Sequence, residues 1–233
     1  MNRILIIAGK EIRELLLDKR TMGMGLIFAF FFGIIYSLRA VNAEGTDIVT
    51  IDNILFFLSA SIGFFMAYIS TGQIFLREKA NKVIETLMCA PVNLRQIWMG
   101  KVIAVAVFSY GLALLTSLIA IIVPSVRSGY LMLPGAAVTF HILPGMFLFI
   151  TAIAGLLGFI QLLLGMRENR ILNFVIFAPA FGLLYGSGYA FGSSITVSWL
   201  QVLVPFVVSL LLLILAALLV RRLNKERIVI TID

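Results

Sequence analysis

Hydrophobic residues in this chain fall in long unbroken runs. Six stand out, over 22–38, 54–76, 102–123, 142–164, 171–191 and 199–220, and none contains Asp, Glu, Lys or Arg. About 20 consecutive apolar residues in a helix cross the hydrocarbon core of a bilayer, and in lipid a helix satisfies its own backbone hydrogen bonds. A segment apolar on every face is a helix with no water side. The pattern therefore predicts an all-α, polytopic integral membrane protein with six transmembrane helices over 22–220. The first run is the shortest. About twenty residues precede it, among them Glu11, Glu14 and Asp18. A cleavable signal has a short basic lead instead, so the run reads as a retained anchor.

Between the runs the pattern changes to one apolar stripe per helix. Near the N-terminus, Ile4, Leu5, Ala8, Ile12, Leu15 and Leu16 share an arc of about 120° on a helical wheel, while Lys10, Glu11, Arg13, Glu14 and Asp18 fall elsewhere. Residues 1–21 are thus expected to form an amphipathic helix in the inner interface, either a plain membrane-surface helix or one that touches another subunit. The loop 77–101 repeats the device. Ala80, Val83, Ile84, Leu87 and Met88 recur at helical spacing, with Glu78, Lys79, Lys82 and Glu85 on the other face. Glu78 and Lys82 form an i,i+4 pair in the favourable order. Pro91 disfavours α geometry at Ala90 and should end that helix. Asn93 with Gln96 then forms a capping box opening the next one. Such a loop is either a well-formed connector or a platform shown to a cytoplasmic partner. The tail 221–233 opens with Arg221, Arg222, Lys225 and Arg227 and suits anionic lipid.

Composition sharpens this picture. The chain is 61% hydrophobic and 12% charged, whereas soluble domains run near half apolar and about a quarter charged. The net charge of +7 is a topology signal rather than a mark of nucleic-acid binding. Sixteen of the 18 Lys and Arg lie before the first run, in the second and fourth connections, or after the last run; Arg39 and Arg127 are the exceptions. The positive-inside rule places both termini in the cytoplasm of a multi-pass cell-membrane protein.

Several chemistries are missing from the sequence. No G-x-x-x-x-G-K-[ST] loop occurs, and no polar segment is long enough for a nucleotide-binding domain. No Asp, Glu, Lys or Arg lies within a run, against what proton- or sodium-coupled carriers need. His141, the one histidine, sits at the edge of the fourth run beside Pro144 and reads as an interfacial or hydrogen-bonded residue rather than a proton relay. Cys89 is the one cysteine, so no internal disulfide is possible, and no Cys pair or Cys/His cluster offers a metal site. No G-x-S-x-G elbow occurs. We therefore expect no catalytic, cofactor or metal residues. Within the runs, Gln73, Tyr110, Gln161, Tyr185 and Tyr189 could line a path or bond across helices. Ala178, Gly182, Gly186 and Ala190 make a small-residue stripe for a close helix contact, internal or with a second copy, and Pro179 predicts a kink.

Taken together, these features resemble the permease family of type-two ATP-binding-cassette transporters. The resemblance covers nearly the whole chain. Its most specific part is Phe75-Leu-Arg-Glu78, followed by Glu85-Thr-Leu87, Ala90-Pro-Val92 and Gly100-Lys101. The resemblance implies an exporter subunit that forms a translocation path with a second permease, the same or homologous, and couples to a separate ATPase. ATP and Mg would then be bound by that partner and not by this chain. It further implies that the loop holds a coupling helix docking into the ATPase, a role that falls on Glu78, Lys79, Lys82, Glu85, Thr86, Leu87 and Pro91. Other readings of the same sequence are a secondary carrier or channel, or a membrane scaffold that recruits an ATPase without transporting.

Overall fold

The computed structural model of the chain describes residues 3–42, 48–81, 93–165, 167–169, 171, 175–176 and 197–221. Among them the regular structure is helical, with no strand. Helix α1 covers Arg3–Leu17 and α2 covers Lys19–Asn42; α3, Ile48–Thr71, runs through a π-helical turn at Gly72–Leu76 into a short α4, Arg77–Ala80. Then come α5 at Leu94–Ser128, α6 at Ala136–Phe140, a second π turn at His141–Gly145, α7 at Met146–Leu163, and α8 at Trp199–Arg221.

Five stretches among the described residues are long and apolar enough to cross a bilayer: Lys19–Leu38, Ile51–Ala80, Leu94–Ser128, Ala136–Leu163 and Trp199–Arg221. They match the first four and the last of the six expected runs. Apart from Ile171, Val175 and Ile176, the run at 171–191, with its small-residue stripe, Pro179, Tyr185 and Tyr189, lies outside the described residues, as does the tail beyond Arg221.

Local chemistry sets the helix ends. Asp18 interrupts the chain between α1 and α2 and caps α2: its carboxylate accepts the Thr21 hydroxyl at 2.6 Å and the Arg20 N–H at 3.4 Å. The Thr21 hydroxyl bond holds the Asp18 carboxyl below the usual carboxylate range. The capping box expected at the start of α5 forms, with the Asn93 N–H donated to Gln96 Oε1 at 3.4 Å. At its far end α5 stops at Gly129, whose φ of 77° suits glycine and lets its N–H return to Ser125 O at 3.1 Å. Asp52 of α3 accepts the Gly135 N–H at 2.9 Å, which fixes the start of α6.

Helix α5 is the central post. It packs on α1, α2, α3 and α7, while α8 leans on α7. The core joins Leu58, Ile62 and Met66 of α3 to Val102, Val105 and Leu112 of α5 and to Met146 and Ile150 of α7. Several contacts are close because one partner is glycine. A Cβ at Gly25 of α2 would stand 2.6 Å from Leu112 Cδ1, and one at Gly158 of α7 would stand 2.8 Å from the Phe75 ring. In lipid, where apolar burial gives little drive, such backbone approach is what holds helices together. The outer faces stay apolar: Ile27, Phe31 and Ile34 of α2, and Leu200, Val204 and Leu211 of α8, are all exposed.

Candidate functional site

The polar groups gather at one end of the bundle, around the short helix α4 that leads into residues 82–92. Three consecutive residues, Arg77, Glu78 and Lys79, each reach a different element. Arg77 approaches Asp18, at the joint between α1 and α2, with 4.0 Å between Nη1 and Oδ2. Glu78 accepts a 2.6 Å hydrogen bond from Lys101 Nζ, and Lys101 also donates to Glu11 Oε1 of α1 at 2.9 Å. Lys79 donates to the carbonyls of Leu162, at 3.3 Å, and Leu164, at 2.6 Å, where α7 ends.

Burial makes these contacts consequential. Lys79, Lys101 and Glu11 are 1%, 2% and 3% exposed. A buried charge is tolerated when it is paired and hydrogen-bonded. Lys101 meets that condition with two carboxylates, and Lys79 with the negative end of α7. The last carbonyls of a helix have no intrahelical partner, and a cation there also meets the helix dipole. Asn169 completes the cap, donating from Nδ2 to Gln161 O at 3.0 Å and Leu164 O at 2.9 Å.

The packing beneath explains the spacing of the motif residues. Gly100 is where α1 lies directly on α5: a Cβ there would stand 2.7 Å from Ile7 Cγ2 and 3.1 Å from Ile4 O. That approach brings Glu11 within reach of Lys101, one residue on. Phe75 fills the space left by Gly158, and Lys101 Nζ stands 5.9 Å from its ring centroid. Phe75, Glu78, Gly100 and Lys101, apart in sequence, converge on one junction of α1, α4, α5 and α7.

The two faces expected of the loop helix are turned around at its root. Lys79, placed by the wheel on the face shown outward, is buried, and Ala80, placed on the apolar packing face, is exposed. Glu11 was likewise placed on the polar face of α1 and is buried beside Lys101. The physical reason is the same in both: the burial partners are a cation and helix-end carbonyls, which hydropathy does not register. Lys82, Glu85, Thr86, Leu87 and Pro91 lie outside the described residues.

The polar residues within the spans take different places. Gln73, in the π turn one helical turn before Arg77, is half-buried between two cavities. One, of about 510 Å³, is lined by residues including Lys10, Glu14, Asp18, Arg77 and Glu78. The other, of about 260 Å³, is lined by Arg20, Thr21, Met24, Phe28, Phe65 and Ile69. Tyr110 instead bonds across helices, its hydroxyl donating to Leu143 O at 2.9 Å in the second π turn. Gln161 is buried near the end of α7, with no hydrogen-bond partner for its side chain among the described residues. His141 is buried as well, its ring 4.5 Å from that of Phe56. Among the described residues no group of His, Cys, Asp and Glu is placed to hold a metal ion.

The family model for ABC-2 family transporter proteins matches residues 19–178, most of the chain and all of the segment from Phe75 to Lys101. No curated protein matches the chain.

Proposed function

The chain belongs to the ABC-2 family of transporter proteins, and we propose that it is the permease subunit of an ATP-driven exporter, pairing with a second permease and with a separate ATPase. Membership makes it a multi-pass transmembrane protein of the ABC transporter permease type. The finer reading adds six spans, both termini in the cytoplasm, and α1 lying in the inner interface. ATP and Mg belong to the partner, since the sequence has no phosphate-cradling loop.

The observation that carries the reading is the three-way anchoring of α4. A connector needs only to join two spans. Here the last three residues before Ala80 tie the start of the loop to the α1–α2 joint, to α5 and to the end of α7. A push on residues 82–91 therefore reaches several spans at once. In this reading Lys82, Glu85, Thr86, Leu87 and Pro91 meet the ATPase. Glu78 and Lys79 support that contact from behind, by fixing the loop's root. ATP-driven closure of the ATPase pair moves the loops, and the spans of the two permeases exchange inward- for outward-facing arrangements.

The loop contact has a direct test. A desolvated charge pair at an interface costs several kcal/mol when one partner is lost, against about 1 kcal/mol or less at an exposed rim. Glu85→Lys is expected to leave the chain inserted and folded while reducing ATPase co-purification at least tenfold, the equivalent of about 1.4 kcal/mol. Arg127→Glu, an exposed change at the opposite end of α5, is the control and should leave assembly intact. Full ATPase binding by Glu85→Lys would reduce the loop to a connector.

A further inference from the structure

We infer that Lys101 is a positioning residue for energy coupling: it joins the loop root to both α1 and α5, so that a displacement of α4 is passed to the rest of the bundle. The inference rests on the exporter reading and assigns the transmission step within it.

Lys101 is built for this in ways a stabilising ion pair alone does not require. Its ammonium serves two carboxylates on different helices, Glu11 at 2.9 Å and Glu78 at 2.6 Å. One lies on α1 and the other at the start of the loop, and Lys101 itself is on α5, the post against which α2, α3 and α7 pack. The side chains of Lys101, Glu11 and Glu78 are 2%, 4% and 14% exposed, the two carboxylates bordering the cavity of about 510 Å³. In a low-dielectric setting a charged hydrogen bond is strong and directional, so the three groups move together rather than sliding past one another. The arrangement also retains freedom at one point. Glu78 Oε2 is buried without a hydrogen-bond partner among the described residues, so Glu78 can turn about Lys101 without giving up a second bond. The helix reaching Glu78 carries a π turn directly before it, a local irregularity often found at functional sites. Gly100 fixes the other side, since α1 lies on its bare backbone.

Removing Lys101 alone could unfold the chain and say nothing of coupling. The decisive variant therefore neutralises the whole cluster: Glu11→Gln, Glu78→Gln and Lys101→Met together, which leaves no unpaired charge. The chain is purified with its ATPase in nanodiscs, in a Cys89→Ser background carrying Leu133→Cys. Leu133 is 64% exposed in the connection between α5 and α6. The reading is the rate of Leu133→Cys modification by an impermeant maleimide, with and without ATP plus vanadate. The parent should show an ATP-dependent change of about tenfold, within the usual range for coupled sites. Measured on the ATPase-bound fraction and at matched ATP turnover, the triple variant should lose that change to within twofold. A triple variant that keeps the parent's full response overturns the inference, because the cluster then serves stability alone. A parent that holds no ATPase, or whose outer end ignores ATP, counts instead against the exporter reading and takes this inference with it.

Discussion

Lys101→Met, made alone, is expected to destabilise the chain by about 3–5 kcal/mol, the range for removing one partner from a buried ion cluster. Two carboxylates, Glu11 and Glu78, would remain largely buried at 4% and 14% exposure. Both would lose the ammonium that separates them, leaving Glu11 with Lys10 at 3.7 Å and the two like charges facing each other. The rescue follows from the same physics. Replacing every member of a buried ionic set by neutral residues of similar volume is often neutral or stabilising. Adding Glu11→Gln and Glu78→Gln to Lys101→Met should recover most of the loss, although it removes more native hydrogen bonds. Thermal unfolding in detergent, followed by exposure of buried Trp98, measures both. If Lys101→Met unfolds like the parent, the cluster is not a buried ionic set and its place in the account fails.

Gly100→Val should be the next most damaging change. Its Cβ would stand 2.7 Å from Ile7 Cγ2 and 2.8 Å from Ile7 Cβ, with the Ile4 carbonyl 3.1 Å away. Ile7 is β-branched and stiff at χ1, and a backbone carbonyl cannot swing aside, so α1 must lift from α5. Overpacking of this kind costs about 1–3 kcal/mol, and here it also draws Glu11 away from Lys101. Gly9→Ala, on α1, meets nothing within 4 Å and replaces a poor helix former by the best one. It is expected to be neutral or slightly stabilising in the same unfolding experiment. Equal effects of the two substitutions would show that α1 does not seat on Gly100.

These residues also mark where the sequence was legible. Hydropathy runs registered α2, α3, α5, α7 and α8, because a segment apolar on all faces has one solvent it can occupy. Asn93 and Gln96 registered the start of α5, because capping is local chemistry between residues three apart. The hub was not legible in that way. A wheel sorts residues by polarity and sends Glu11 and Lys79 outward. Their burial depends on Lys101, ninety positions away from Glu11, and on the carbonyls that end α7. A signal was present, however, in the Gly100-Lys101 pair and in Phe75-Leu-Arg-Glu78. A glycine beside a lysine at the mouth of an apolar run is a place where another helix can lie close to a cation. The small-residue stripe at 178–190 lies outside the described residues, among which Gly25, Gly100 and Gly158 are sites of close helix approach. Among the polar span residues, Tyr110 ties two helices and Gln73 stands between two cavities, a difference set by which carbonyl or void each faces and not by residue type.

Cys89 offers the most direct measurement of the central claim, that residues 82–91 dock on a separate ATPase. It is the chain's one cysteine and lies inside that segment, so a thiol-reactive photo-cross-linker attached there reports on the loop alone. In membranes from cells expressing the native chain, irradiation should join Cys89 to a single protein carrying a phosphate-binding loop and an ATP-binding-cassette signature. The yield should change when ATP and vanadate are added, and Glu85→Lys should reduce it at least tenfold. Cross-linking only to lipid or to a second copy of the chain, or labelling of Cys89 by an impermeant thiol reagent in intact cells, would contradict the account.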